Sequence, residues 1–192
     1  MNDSYLNRPR HQIRRQDRAV TDEAWIQAFL NQTPFGVLAY HYEGQPFVNS
    51  NLFVYDEKAH AIYLHTAHVG RTRATLEMEG RVCFSVSAMG RLLPAEEALE
   101  FSVEFAGVTV FGTAAVVVDE TEMTYALQRL LDKYFAHLHP GKDYRPITAE
   151  ELARTSVFRV AIDSWSGKRK EVDEDFPGAF SYQAVTPPYF PS

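Results

Sequence analysis

The sequence predicts a mainly β (α+β) domain, a small barrel of about six or more mostly antiparallel strands with helices at its periphery. Three observations lead there. Strand signals crowd together between residues 35 and 118 and return at 156–165. Several are joined by only two to four residues, which suits hairpins and excludes parallel crossovers. Helical periodicity is confined to a few inserted segments.

Taken in order, residues 1–20 are polar and carry Arg8, Arg10, Arg14, Arg15 and Arg18. They read as a solvated or loosely docked arm. An arm that wraps a partner subunit is the competing reading, and Asp3 and Asp17 argue against an Arg-rich transit peptide. A helix is predicted from Thr21, with Asp22 and Glu23 suited to its positive end, a stripe of Trp25, Ile26, Phe29 and Leu30, and a stop near Pro34. Phe35–Tyr42 reads as a strand, Glu43-Gly44 as a tight turn, and Phe47–Tyr55 as a second strand with Asn49, Ser50 and Asn51 in its middle. After a turn at Asp56–Ala59, His60–Thr66 is the third strand; Ile62 and Leu64 alternate with Tyr63 and His65, the period of a half-buried strand. Arg71–Glu79 is a short helix stopped by Gly80. Arg81–Ser87 is the fourth strand, with Val82, Phe84 and Val86 on one face.

Residues 89–101 carry no clear period beyond a helical turn at Pro94–Ala98. Val103–Val118 is β-rich, with Gly107 and Gly112 suited to bulges. Glu120–Ala136 is the clearest helix, its stripe formed by Met123, Leu127, Leu130, Leu131 and Tyr134. Thr148 and Glu151 form a capping box before a short helix to Arg154, and Ser156–Trp165 is the last strand. The tail after Lys170 is acidic, then rich in Pro and aromatics (Phe176, Phe180, Tyr182, Tyr189, Phe190), and reads as an irregular cover.

Composition narrows the function classes. At 192 residues and 45% hydrophobic content, one domain with a sizeable core is expected. A net charge of −6 and a pI of about 5.6 argue against a nucleic-acid binder. Cys83 is the single cysteine, so no intrachain disulfide forms and a cytoplasmic location is expected. No apolar run approaches the roughly 20 residues that span a bilayer, so no membrane association is expected.

The chemistry-bearing stretch is Tyr63–Arg73, the end of a strand, a polar turn and a helix start. Gly70 frees the backbone, and helix-start amides beside Arg71 and Arg73 form an anion pocket suited to a cofactor phosphate. An ordinary strand–helix turn with surface arginines would carry the same residues. The polar patch Asn49-Ser50-Asn51 suits either the edge of a heteroaromatic ring or a solvent-facing stretch. Trp165-Ser166-Gly167-Lys168-Arg169-Lys170 reads as an aromatic, a turn and three cations that cover an anionic cofactor, or as a surface turn. His65 and His68 are not spaced to direct both rings at one metal, and no metal site is expected. Cys83 lacks the cationic neighbours of a nucleophile. No Gly-x-Gly-x-x-Gly or Walker loop is present.

Gly36-Val37-Leu38-Ala39, Pro46-Phe47-Val48, Ile62–Ala67 with Gly70-Arg71, Val108–Gly112, and Glu151–Thr155 with Ser166-Gly167-Lys168-Arg169 together make a pattern that resembles the FMN-binding split-barrel proteins. These are relatives of pyridoxamine phosphate oxidase, and the branch with nitroimidazole-resistance reductases is the most similar. The resemblance spans roughly residues 15–175. It implies a split barrel (21–170) between an arm (1–20) and a tail (171–192), dimerising with FMN at the interface. By position, His65, Thr66, Gly70 and Arg71 would lie along the phosphate. Thr72 stands where relatives often carry Lys, and Arg73 is the next cation. Val48, Asn49 and Ser50 would run beside the ring, and Trp165 and Lys168 would reach it from the neighbouring subunit.

The function this implies is an FMN-dependent oxidoreductase carrying electrons from a reduced nicotinamide to a small organic acceptor, with His65 as the catalytic proton donor. The alternative is a non-catalytic protein on the same fold that holds flavin, deazaflavin or haem.

Overall fold

The computed structural model describes residues 6–185, so Asp3, Tyr189 and Phe190 lie outside the described residues. The chain runs β1 (Ala19–Val20), α1 (Glu23–Gln32), β2 (Gly36–Tyr42), β3 (Gln45–Asn51), β4 (Phe53–Asp56), β5 (Ala61–Ala67), α2 (Arg71–Met78), β6 (Arg81–Leu93), β7 (Ser102–Val116), α3 (Glu120–Tyr134), α4 (Ala149–Ala153) and β8 (Thr155–Lys170). The strands form one sheet in the order β3-β2-β6-β7-β8-β5-β4, with β1 added to β8, and these strands pair antiparallel throughout. The two ends of that order, β3 and β4, are consecutive in the chain and separated only by Leu52. The sheet therefore curls back on itself at a corner that no ladder closes, the arrangement of a split barrel.

That corner corrects the expected single strand Phe47–Tyr55. The Tyr134 hydroxyl on α3 accepts from the Phe53 N–H at 3.0 Å and lies 2.8 Å from the Pro34 carbonyl oxygen, while Asn51 Nδ2 donates to the Asn49 carbonyl oxygen at 2.9 Å. These bonds take backbone groups that a continuous ladder would use, and the chain turns at Leu52. The Glu43-Gly44 turn forms as expected, with φ of 50° and 77°, the left-handed pair that suits a two-residue hairpin.

Two cores explain the burial pattern. Leu38, Phe53, Tyr55, Ile62, Leu64, Phe84, Val108, Val110, Phe158 and Val160 fill the barrel, closed at one end by Ile26 and Leu30 of α1. Val54, Ala61, Tyr63 and Val157 face outward under Met123, Ala126 and Leu130 of α3 and Leu152 of α4. β4 and the first half of β5 are thus buried on both faces. The expected half-buried alternation in β5 is corrected accordingly, because α3 covers the Tyr63 side.

Other boundaries shift for local reasons. Asp22, not Thr21, caps α1, its carboxylate accepting from Ala24 N at 2.9 Å. Lys133 closes the other end of α1, with Nζ 2.8 Å from the Thr33 carbonyl oxygen and 3.8 Å from the Phe53 ring centroid. Burial pulls its pKa down to about 8. The ladder between β7 and β8 shifts register between Phe111 and Gly112, a bulge as expected, but runs straight through Gly107. Trp165–Lys170 is not a turn. It continues β8 against Phe105–Val110 of β7, where glycine and cations mask the strand period.

The tail is an irregular cover held at two places, by Arg91 and Glu104 at its start and by a backbone bridge between Leu92 and Phe180 further on. Arg91 pairs with Glu104 at 2.8 Å and donates to the carbonyl oxygens of Val172, Asp173 and Glu174; Glu104 also accepts from the Val172 N–H at 3.1 Å. The Arg91 guanidinium holds the Glu104 carboxyl down to about 2. Arg91→Ala is expected to loosen the tail from Val172 up to the Leu92–Phe180 bridge while leaving the barrel folded. Limited proteolysis should then cut the tail severalfold faster with no change in the unfolding midpoint of the remaining domain.

No helix of the described residues is long and apolar enough to cross a membrane.

Candidate cofactor site

The polar turn and the mid-strand polar patch, read separately in the sequence, meet in space. β5 delivers the chain to Gly70, and α2 starts at Arg71 with no side chain capping its first turn. Its leading amides are therefore free to take an anion. Gly70 has φ 163°, an extended conformation open to any residue, so its expected backbone role is corrected. What the missing side chain contributes is room: nothing lies within 4 Å of where a Cβ would stand.

Thr72 is buried, with Oγ1 3.1 Å from the Tyr40 hydroxyl and 3.1 Å from Asn49 Nδ2. Asn49 thus pins the β2–β3 hairpin to α2. The Arg71 guanidinium lies 4.5 Å from the Phe47 ring centroid and makes no salt bridge among the described residues. It opens into a cavity of about 450 Å³ bounded by Tyr42, Phe47, Ala74, Thr75 and Met78. Beside it, Val48 and Ser50 point outward on β3, a sheet edge whose outer backbone groups carry no strand partner among the described residues.

Arg73 has a different task. It bonds Glu77 at 2.8 Å and the Ser156 hydroxyl at 3.0 Å, and stands 3.2 Å from His68 Nδ1, so it clamps α2 onto β8 rather than facing the Arg71 cavity. Thr66 turns its hydroxyl to its neighbour's carbonyl, Ala67 O, at 3.0 Å.

His65 lies on the opposite face of β5 from Thr66. It looks into a groove of about 620 Å³ under α3, lined by Leu127, Leu131, Tyr134, Leu138 and Arg145 among others. The residue is exposed, yet partial burial of its ring holds its pKa below the ordinary histidine value and favours the neutral imidazole. Trp165 and Lys168 also part company. Trp165 packs at 4.7 Å against His60 and 6.0 Å against Tyr55 at the α1 end of the barrel. Lys168 stands on the outer sheet face, 5.2 Å from the Phe105 ring centroid, beside Ser87 and Thr109. Within one chain neither reaches Arg71.

The sequence reading missed Tyr40 and Phe47 as site residues. The signal was present: counting outward from the Glu43-Gly44 turn pairs Tyr40 with Phe47, two residues from Asn49 on the same face.

A model of the pyridoxamine 5′-phosphate oxidase family matches residues 22–169, most of the chain. The chain belongs to that family. No curated protein matches it. Among solved structures this family member is similar to the flavocytochrome Anf3 from Azotobacter vinelandii, at 27% identity over 96% of this chain and 90% of that one, with a TM-score of 0.76. It is also similar to an FAD and haem binding protein from Mycobacterium smegmatis, at 25% identity over 81% and 74%, TM-score 0.70. A protein from Bacteroides thetaiotaomicron assigned to 5-nitroimidazole antibiotic resistance shares the fold, at 20% identity over 80% and 90%, TM-score 0.65.

Proposed function

We propose that this member of the pyridoxamine 5′-phosphate oxidase family is a homodimeric flavin-dependent oxidoreductase that moves electrons from a reduced nicotinamide to a small organic acceptor. One observation carries the reading: the uncapped start of α2 sits beside an open Gly70 and an Arg71 that makes no ion pair among the described residues. Those residues suit the dianionic phosphate of FMN. Asn49 and the open edge of β3 at Val48 and Ser50 suit the hydrogen-bonding rim of the ring. The flavin supplies the two-electron chemistry; the protein's part is to hold it, shield one face and set its charge environment. Lys168 serves the same site across a dimer formed on the outer face of β6–β8. α3 and α4 cover that face only at the Val157 end of β8; beyond it Cys83, Ser85, Ser87 and Thr109 present small side chains, with Phe105 and Phe111 carrying Arg18 and Arg10 of the arm.

The test is direct. Freshly purified protein should be yellow, release FMN on denaturation, bleach with a reduced nicotinamide and run as a dimer in light scattering. A chain that takes up no flavin on reconstitution would defeat the reading.

A second reading, haem alongside flavin, is favoured by the His65 groove. It joins a neutral imidazole to a long apolar wall, the surroundings that suit an iron porphyrin, with Arg145 at the rim already paired to Glu151 at 3.0 Å. Likeness to two flavin-and-haem proteins at 25–27% identity points the same way. His65→Ala is expected to remove a haem Soret band and leave flavin uptake unchanged; an unaltered Soret band would reject His65 as the ligand.

A further inference from the structure

A second cavity, of about 690 Å³, lies at the α1 end of the barrel between the N-terminal arm and β8. It exists because β8 is longer than the strands on its outer edge. β5 leaves β8 at Ala161, and β1 joins only at Gly167 and Lys168. Among the described residues the edge of residues 163–166 is therefore without a strand partner, and the cavity opens onto that gap. Gly167 keeps the far side tight, since a Cβ there would stand 3.0 Å from Val20 and 3.1 Å from Ile26.

The lining has a definite character. Trp165 and His60 meet edge to face on its floor at 4.7 Å, with Ile26 and Val20 beside them. Glu23 and Asp163, both exposed, supply two carboxylates, and Ser164, Ser166 and Thr21 supply hydroxyls. Among the described residues no Lys or Arg lines it. His60 holds φ 45°, a backbone region uncommon for a residue with a side chain. Tyr55, packed on both floor rings, buries a hydroxyl that has no hydrogen-bond partner among the described residues. Its ionisation is pushed up by burial first and then by Glu57, Asp56 and Glu23, as expected where the local potential is negative. The roof is the arm, with Pro9, His11, Gln12, Ile13 and Gln16 over the opening. Two contacts between a guanidinium and a ring hold it there: Arg10 at 5.6 Å from the Phe111 centroid and Arg18 at 5.9 Å from Phe105.

We propose that this cavity binds a small planar organic cation, an aromatic ring bearing a protonated amidine or amine. The indole attracts positive charge and stacks a flat ring, and the two carboxylates take the ligand's N–H groups. An anion would meet two carboxylates with no cation on the walls. This site goes beyond the flavin reading and does not rest on it: Arg71 and the α2 start belong to a different cavity.

The test uses three isosteres of different charge, benzamidinium, benzamide and benzoate, titrated into the full chain. Trp25→Phe makes the Trp165 indole N–H the only indole signal in the NMR spectrum. Benzamidinium should shift that signal and bind at least about tenfold more tightly than benzamide, with benzoate weakest. Asp163→Asn combined with Glu23→Gln should erase the preference. Equal affinity for the three probes, or binding that leaves the Trp165 signal unmoved, overturns the proposal. The charge series on the unmutated carboxylates decides it even if the double variant folds poorly. Flavin uptake is read separately, so failure of one assignment does not touch the other.

Discussion

Arg71→Ala is expected to weaken FMN binding by about 10- to 100-fold, the loss of one charge-assisted contact to phosphate at roughly 1.5–3 kcal/mol. Arg71 is the cation that the fold leaves unspent at the start of α2. It rests on the Phe47 ring at 4.5 Å and makes no salt bridge among the described residues. Removing it should lower stability little, since an exposed contact of this kind contributes about 0.5–1 kcal/mol. Arg71→Lys should recover part of the affinity, keeping the charge and losing the fork. Arg73→Ala gives the contrast. Arg73 ties α2 to Glu77 and Ser156, so its loss should cost stability first. Titration of the apoprotein with FMN, followed by flavin fluorescence, reads both variants. If Arg73→Ala weakened FMN more than Arg71→Ala at equal stability, the phosphate assignment would be wrong.

The largest stability effect should come from the barrel centre. Phe84→Ala is expected to destabilise by about 3–5 kcal/mol, a large share of the 5–15 kcal/mol typical of a domain. Phe84 is fully buried and meets Phe53 edge-on at 4.9 Å. It also occupies the space above Gly36, where an added Cβ would stand 2.2 Å from its ring. Phe84 stands on β6 between β2 and β7, so the surroundings of Phe84→Ala relax only in part. Gly36→Ala should destabilise from the other direction, by overpacking. Urea unfolding of the two variants checks this; a loss under about 1 kcal/mol for Phe84→Ala would mean that the ring is not the packing centre it is taken to be.

Local pattern carried a good deal of this. The stripe of α3, the Thr148–Glu151 capping box, the Glu43-Gly44 hairpin and the inward face of Val82, Phe84 and Val86 each depend on neighbours within a few residues, and all stand in the structure. The site was legible only in pieces. Arg71 and Asn49 could each be singled out as polar residues in unusual places, but their meeting through Thr72 depends on how β2 and β3 fold against α2. The same limit hid the break at Leu52, which follows from a Tyr134 hydroxyl some eighty residues away.

From its residues alone the chain determined most of its strands, its helix faces, the family pattern and the cationic turn after β5, because spacing and residue type decide these over short range; the break at Leu52 and the continuation of β8 through Lys170 came only from the fold. Only the folded molecule decided which cation is free. Arg71 and Arg73 are two residues apart and chemically identical, yet one is consumed by Ser156 and Glu77 and the other is left facing open space. It also decided that His65, Trp165 and Lys168 meet different surroundings: Trp165 faces the barrel interior, while His65 and Lys168 share the outer face but lie on different strands, one under α3 and one beside Phe105.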